Sequence, residues 1–199
     1  MGMHKGHKYV DLCLPSGLKW ATCNVGAESP EEYGDYFAWG EVEPKEVYNW
    51  STYKYGTEYN LIKYNGSDNK KTLDLEDDVA YVNWGGKWRM PTGEELRELF
   101  RECTWTWTTQ NGVNGRKLVG SNGNSIFLPA AGYMIEGTLY GAGSVCYFWS
   151  GLLWRDPELI DDNNIDNPVY ASILGFESYA SGSGKAYRCN GLPVRPVCH

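Results

Sequence analysis

The fold is decided by the stretch Gly86-Lys87-Trp88-Arg89-Met90-Pro91-Thr92-Gly93-Glu94-Glu95-Leu96. Its tryptophan-bearing first half is typical of a strand, and Pro91 followed by Thr92 marks a helix start. The Thr92 hydroxyl can cap the helix while the Glu95 carboxylate reaches back to the Thr92 backbone N–H, which is the reciprocal pattern of a capping box. The sequence therefore predicts a helix that begins near Gly93.

The predicted helix is amphipathic. Its apolar residues recur at spacings of three and four, which places them on one face: Leu96, Leu99, Phe100 and Cys103. The charged residues fall on the other side and are expected to face water: Glu94, Arg97, Glu98 and Arg101. We expect a helix that docks on a core and carries no catalytic group.

The sequence of this stretch resembles that of a known protein family. Residues 88–96, Trp-Arg-Met-Pro-Thr-x-x-Glu-Leu, resemble the Arg-Leu-Pro-Thr-x-x-Glu-Trp signature of formylglycine-generating-enzyme-like domains, a branch of the C-type lectin fold. Residues 37–41, Phe-Ala-Trp-Gly-Glu, are similar to that family's aromatic-x-Trp-Gly-Asp segment. Residues 191–197, Gly-Leu-Pro-Val-Arg-Pro-Val, are similar to its closing Gly-Phe-x-x-Arg strand.

A narrower resemblance is to the "major paralogous domain" group of surface proteins in gut Bacteroidetes. It rests on residues 10–12, 18–27, 83–86, 127–132 and 147–150, and the two resemblances together cover about residues 9 to 198. They imply one α+β domain of the C-type lectin fold over residues 9–199, after a tag or disordered start at 1–8. Short antiparallel strands, one or two docked helices and much irregular structure are expected.

Composition limits the classes of protein that need to be considered. The 199 residues fit one domain, and 9 Trp, 15 Tyr and 24 Gly indicate many short segments joined by tight turns. A net charge of -7 without a basic stripe argues against a nucleic-acid partner. The chain has no apolar run long enough to cross a bilayer, so direct membrane insertion is not expected.

The pattern also predicts individual elements. Strands 11–14 and 18–21 form a hairpin around Pro15-Ser16-Gly17, residues 29–34 form a brief helix, and an acidic helix at 73–80 precedes a strand near Tyr81. Further strands are predicted at 104–108, 117–119, 125–127, 147–150, 170–176, 186–189 and 192–197. Asn-Gly turns are expected at 111–112, 114–115 and 122–123.

Catalysis is not expected. The formylglycine-generating relatives use two closely spaced cysteines near the C-terminus, whereas Cys189 here has only Cys198 across the terminal strand. The three histidines lie near the ends of the chain, and adjacent acids such as Asp77-Asp78 or Asp161-Asp162 are more typical of a solvated turn or helix end.

No metal or cofactor is expected either. The six cysteines contain no CxxC pair, and residues 161–167 lack the spacing of an EF-hand loop, so a polar loop is favoured over a calcium site. Whether the cysteines form disulfides or remain free thiols is left open by the sequence, since six allow 15 full pairings.

The C-terminal region indicates ligand binding. Between Ser150 and Arg188 the sequence no longer resembles the family segments. It contains Trp, Tyr and Arg interleaved with Ser and Gly, a composition typical of recognition surfaces. Leu174 and Phe176 are assigned to the core, and a competing interpretation places Leu152, Leu153 and Trp154 there too. The candidate ligand-binding residues are Gly151, Leu152, Trp154, Arg155, Ile173, Glu177, Tyr179, Ser181, Ser183, Ala186 and Tyr187.

This arrangement resembles the variable proteins of diversity-generating retroelements, which carry their mutable residues near the end of the same lectin branch. Adenine-directed mutation of Asn codons reaches Tyr, Ser, Gly, Ala, Ile, Leu, Arg, Asp and Cys, but it cannot produce Trp154, Glu177 or Lys185. The hypothesis is a monomeric, non-enzymatic binder of a protein or glycan. It would be secreted or at the cell surface, with the export signal absent from the chain as written, or on a phage particle. The alternative is a structural or adhesion module of a surface lipoprotein.

Overall fold

Short antiparallel sheets predominate in the computed structural model, which describes residues 1–154 and 168–199. The helices are α1 (Val79–Trp84) and α2 (Gly93–Glu102), with a 3-10 turn at Leu75–Asp77. The strands are β1 Gly2–His4, β2 His7–Asp11, β3 Lys19–Ala21, β4 Gly56–Thr57, β5 Asn60–Leu61, β6 Thr104–Gln110, β7 Val113–Val119, β8 Ser125–Pro129, β9 Tyr133–Ile135, β10 Thr138–Tyr140, β11 Val145–Leu153, β12 Tyr170–Glu177, β13 Ser181–Tyr187 and β14 Val197–Cys198. Small antiparallel sheets with few helices fit the expected α+β class.

One sheet joins the two ends of the chain in the order β1-β2-β3-β14. Residues 1–8, for which a tag or a disordered start was expected, supply β1 and the first part of β2. Two aromatic contacts hold them. The His7 ring stacks on Trp84 at 3.8 Å, and the His4 carbonyl accepts a hydrogen bond from the Trp88 indole at 3.0 Å.

The start of α2 confirms the predicted capping box. The Thr92 hydroxyl accepts the Glu95 N–H at 3.2 Å, and the Glu95 carboxylate accepts the Thr92 N–H at 2.8 Å. Leu96 and Leu99 are buried as predicted. The expectation for Glu98 is wrong, because this carboxylate is 7% exposed and accepts hydrogen bonds from both the N–H and the hydroxyl of Ser16.

The sheet β11-β12-β13 is central to the candidate site. Its register pairs Tyr147 with Gly175 and Ile173 with Gly184. Because side chains alternate along a strand, Leu174 and Phe176 point to the opposite face, where they share a core cluster with Leu96 of α2. One face of the sheet therefore packs on α2, while the other presents Tyr147, Ile173 and Gly175.

Other local predictions need correction. Residues 29–34 form turns instead of a helix, and Tyr81 lies inside α1 instead of in a strand. Asn114-Gly115 lies within β7, where it pairs with Thr109 and Thr108 of β6. Cross-strand pairing overrides the turn preference of the dipeptide at 114–115, whereas 111–112 and 122–123 do turn. Of the closing strand predicted at 192–197, only Val197 lies in a strand, β14.

The tryptophans mainly build the core. Trp88 and Trp149 are fully buried, and the half-buried Trp84, Trp105 and Trp107 pack against core clusters. The Trp149 indole donates to the Phe37 carbonyl at 2.7 Å, and the Trp39 indole donates to the Ser150 carbonyl at 2.9 Å. These reciprocal bonds join the family-like segment at 37–41 to β11. In the part of the chain described, no helix is both long and apolar enough to cross a membrane.

Candidate binding site

The site is a concave surface on β12 and β13 with a cavity volume of about 680 Å³. Its floor consists of small residues, because Gly175 of β12 and Gly182, Gly184 and Ala186 of β13 lie on the same face of the two strands. Ile173 is only 6% exposed and joins this floor to the core. A cavity of this size is within the range of small-ligand pockets.

Tyrosines form the walls of the cavity. The Tyr147 ring covers Gly175 so closely that a Cβ there would come within 2.8 Å of the ring, which explains the glycine. Tyr133 lies beside Tyr147, with ring centroids 5.2 Å apart. Tyr179, 84% exposed, stands at the rim, where a hydrogen bond to the Glu177 carboxylate raises the pKa of its phenol. The phenol therefore stays protonated and donates to that carboxylate.

The outer edge of β13 also borders the cavity. The N–H of Arg188 donates to the Val169 carbonyl, and the N–H of Glu177 donates to the Ala180 carbonyl, which fixes the hydrogen-bonded pairs of the β12–β13 ladder. The even-numbered residues of β13 thus turn their backbone groups toward β12. The backbone groups of Ser181, Ser183 and Lys185 point away, and no strand in the described ranges pairs with that edge.

A buried arginine anchors the end of β13. Arg188 is completely buried and donates hydrogen bonds to the Tyr53 hydroxyl and to the carbonyls of Lys63, Tyr64 and Pro168 at 2.9 to 3.0 Å. Its guanidinium also lies 5.0 Å from the centre of the Trp39 ring system. These contacts tie the strand that ends at Tyr187 to the polar and aromatic segment of residues 41–80.

That segment is held by a second buried charge, Asp77. The carboxylate is 2% exposed and accepts hydrogen bonds from the hydroxyls of Tyr55 and Tyr64 and from the ammonium groups of Lys54 and Lys63. Although burial raises its pKa, these hydrogen bonds outweigh burial and lower the pKa to about 2. The expectation of a solvated acidic pair at 77–78 is wrong, since Asp78 is also buried and caps α1.

The predicted site residues are divided between two places. Seven line the large cavity: Ile173, Glu177, Tyr179, Ser181, Ser183, Ala186 and Tyr187. Leu152 and Trp154 line a separate cavity of about 380 Å³ beside Gly93 and Arg97, and Ser183 borders both cavities. Gly151 is buried and bonds through its backbone to Leu73 and Pro91. Arg155 lies outside the described residues.

Several lining residues were missed by the sequence analysis. Tyr133 and Tyr147 precede Ser150, after which the recognition-like composition begins, and only the strand register brings Tyr147 over Gly175. Gly182 and Gly184 could have been found, because the alternation Ser181-Gly182-Ser183-Gly184 predicts a strand with one face of glycines.

The cysteines of this region offer little reactivity. All six cysteines are free thiols, which answers the question left open by the sequence. Burial raises the pKa of Cys189 to about 12, so its thiolate is scarce at neutral pH. Cys189 and Cys198 pack in different hydrophobic clusters.

One group of carboxylates in the described ranges has the spacing of a metal site: Asp74, Glu76 and Asp77. The Lys63 ammonium lies 2.8, 3.1 and 2.6 Å from these three side chains. The lysine is therefore their counter-ion. Asp161-Asp162 and the run 161–167, considered above for catalysis and calcium, lie outside the described residues.

Comparison of the chain with protein-family models, curated proteins and solved structures finds no match.

The Asp77 network predicts a specific response to acid. The folded pKa of about 2 lies below the ordinary value, so Asp77 stabilises the protein fully above about pH 4, and this contribution of about 2 kcal/mol is lost as the pH falls toward 2. We expect Asp77→Asn to lower the free energy of unfolding at pH 7 by about 3 kcal/mol, because the lysines lose their buried partner. The variant should also show a flatter decline of stability between pH 4 and 2 in urea unfolding.

Asp35→Asn is the control, since Asp35 is exposed. It should leave both the stability at pH 7 and the acid dependence close to those of the wild type. An Asp77→Asn variant as stable as Asp35→Asn would contradict the network.

Proposed function

We propose that this protein is a non-catalytic ligand-binding protein and that the concave face of β12 and β13 is its ligand surface. The observation that carries the proposal is the cavity of about 680 Å³, whose floor of glycine and alanine is open and whose walls are tyrosines. Tyrosine offers a large contact area and a hydrogen-bonding hydroxyl at a low cost in conformational entropy, which suits recognition.

The scaffold in this proposal is the C-type lectin fold of the formylglycine-generating-enzyme type. It is supported by the contacts of the segments that resemble the family, because their residues join the elements of the fold. The 37–41 segment binds β11 through Trp39 and Trp149, the 88–96 segment forms the capped start of α2, and Arg195 of the closing segment donates to Asn24 and to the carbonyls of Ala21 and Thr22. Most of the residues that carry the resemblance lie in this framework, and two of them, Tyr147 and Leu192, also line the large cavity.

Binding without catalysis is favoured by the chemistry of the candidate groups. The Cys189 thiol has a raised pKa, and His4 and His7 are engaged in the sheet at the chain ends. Among the described residues, Glu177 is the one carboxylate of the large cavity, and Glu58 and Glu136 line a different cavity that adjoins it, whereas hydrolysis of a glycoside ordinarily takes a facing pair in one cleft. The site offers surface complementarity, hydrogen bonds and charge.

Binding at this face can be tested by filling the cavity. Gly182 has open space where a Cβ would be and no left-handed backbone, so Gly182→Trp should fold and place an indole over the floor. Gly66 has the same properties but lines neither cavity, which makes Gly66→Trp a matched control. We expect a peptide and glycan array to give wild-type signals that Gly66→Trp retains and Gly182→Trp loses by at least about tenfold.

Equal signals from the two tryptophan variants would show that the ligand binds another surface of the protein. An array without any signal would favour the structural or adhesion module.

We further propose that this face is diversified by a retroelement, at a cell surface, in secreted form or on a phage particle. Of the seven predicted site residues that line the cavity, six are of types that adenine-directed mutation of Asn codons can produce: Ile173, Tyr179, Ser181, Ser183, Ala186 and Tyr187. This mutation cannot produce Trp154, Glu177 or Lys185. Of these three, Lys185 and Trp154 contact each other, with the ammonium 6.0 Å from the indole centre. The third, Glu177, would be a fixed residue of the template.

Sequencing the gene and its flanks across the source population tests the diversification. Hypervariable codons should coincide with the six cavity residues, and a template repeat with a reverse transcriptase should lie nearby. Uniform low variation, or flanks without these elements, would contradict diversification. The binding surface would then have the same sequence in all members of the population.

A further inference from the structure

A second cavity adjoins the first. Its volume is about 530 Å³, and Tyr187 and Asn190 line both cavities, so the two form one continuous concave surface. The second cavity is also aromatic, with Tyr48 and Trp50 on its wall. The Trp50 and Tyr187 rings meet edge to face with centroids 6.0 Å apart.

The continuous surface carries three carboxylates. Glu58 and Glu136 line the second cavity and are exposed, and Glu177 lines the first. Within the described ranges none of the three forms an ion pair. Their hydrogen-bond partners are neutral: the Asn49 amide binds Glu136 at 2.7 Å, and the Tyr179 phenol binds Glu177.

The cations at or near this surface, including Lys185 of the first cavity, have partners other than the three carboxylates. Lys45 pairs with Glu41 at 2.8 Å, and the Arg116 guanidinium donates to the backbone carbonyls of Glu177 and Ala180. The Lys185 ammonium lies 4.7 Å from the centre of the Tyr170 ring. The three carboxylates therefore face solvent without a cationic partner in the described part of the chain.

The aromatic walls favour the same sign of ligand charge. The faces of tyrosine and tryptophan rings attract a Lys or Arg head group, and the attraction grows when the cation is partly desolvated in a cavity. Carboxylates beside such rings add a direct Coulomb attraction. Charge and ring chemistry together select a ligand with several positive groups.

The free edge of β13 selects the form of that ligand. The outward N–H and C=O groups of Ser181, Ser183 and Lys185 border the first cavity and match the repeat of an extended polypeptide. A small amine or a glycan lacks a backbone that could pair with this row.

We propose that the ligand is an extended, basic segment of a partner protein that pairs with the edge of β13 and places Lys or Arg side chains against Glu58, Glu136 and Glu177. This inference rests on the proposed function, because it names the ligand class of the same surface. The basic segment needs negative charge at the cavity itself. The net charge of -7 belongs to the whole chain and does not by itself provide this.

The test uses a short fluorescent peptide of alternating arginine and threonine, with matched peptides that carry glutamate or serine in place of arginine. Fluorescence anisotropy should show binding of the arginine peptide alone, with affinity falling as salt is raised. Glu58→Gln/Glu136→Gln/Glu177→Gln should weaken this binding by about tenfold or more. The control Glu28→Gln/Asp35→Asn/Glu102→Gln has the same net charge, its residues are exposed and line neither cavity, and it should bind like the wild type.

The edge pairing is tested with the arginine peptide N-methylated at alternate residues, which removes half of its backbone donors. This peptide should bind at least about tenfold more weakly. Unchanged binding of the methylated peptide, or equal weakening by the two triple variants, would overturn the inference. If the arginine peptide fails to bind while the array yields another ligand lost in Gly182→Trp, the charge inference fails and the proposed function stands. Absence of any ligand would defeat both.

Discussion

The buried guanidinium of Arg188 is the interaction on which the rest of the structure depends. It is completely buried without a carboxylate partner among the described residues, and it is stabilised by one tyrosine hydroxyl, three backbone carbonyls and the ring of Trp39. Burying an unpaired charge costs several kcal/mol unless its donors are satisfied. Because the acceptors come from residues 53, 63, 64 and 168, satisfying the arginine fixes three distant segments at the end of β13.

Arg195 repeats this solution in part in the closing segment, where its Nη2 has no hydrogen-bond partner among the described residues. It donates to the Asn24 amide oxygen and to the carbonyls of Ala21 and Thr22, and burial lowers its pKa to about 10. With the indole bonds of Trp39 and Trp149, these arginines connect irregular segments through side chain to backbone contacts. A fold with short strands needs such contacts, since its ladders are too short to satisfy the long connections. The exposed residues of the β12–β13 face, such as Tyr179, Ser181 and Gly182, make none of these framework contacts.

The sequence predicted those features whose causes are local. The capping box needs only Thr92 and Glu95, and aromatic runs bounded by turns located most of the longer strands. Features with distant causes were missed. Glu98 looked solvated because its partner Ser16 lies 82 positions away, and Asp77 looked like a turn residue because its tyrosine partners precede it by 22 and 13 positions. The candidate site was predicted in part, since the residues of β12 and β13 were named, whereas Tyr133 and Tyr147 enter the cavity only through tertiary register.

We infer that a rigid frame presents a face whose exposed residues contribute little to the stability of the fold. The most direct measurement is a protease-resistance scan of all single substitutions in a displayed library. Substitutions at Tyr179, Ser181 and Gly182 should change the free energy of unfolding by no more than about 0.5 kcal/mol, whereas those at Trp39, Trp149, Arg188 and Arg195 should lower it by about 3 kcal/mol or more. Equal sensitivity of the two sets would contradict the account, because the concave face would then serve packing and not recognition.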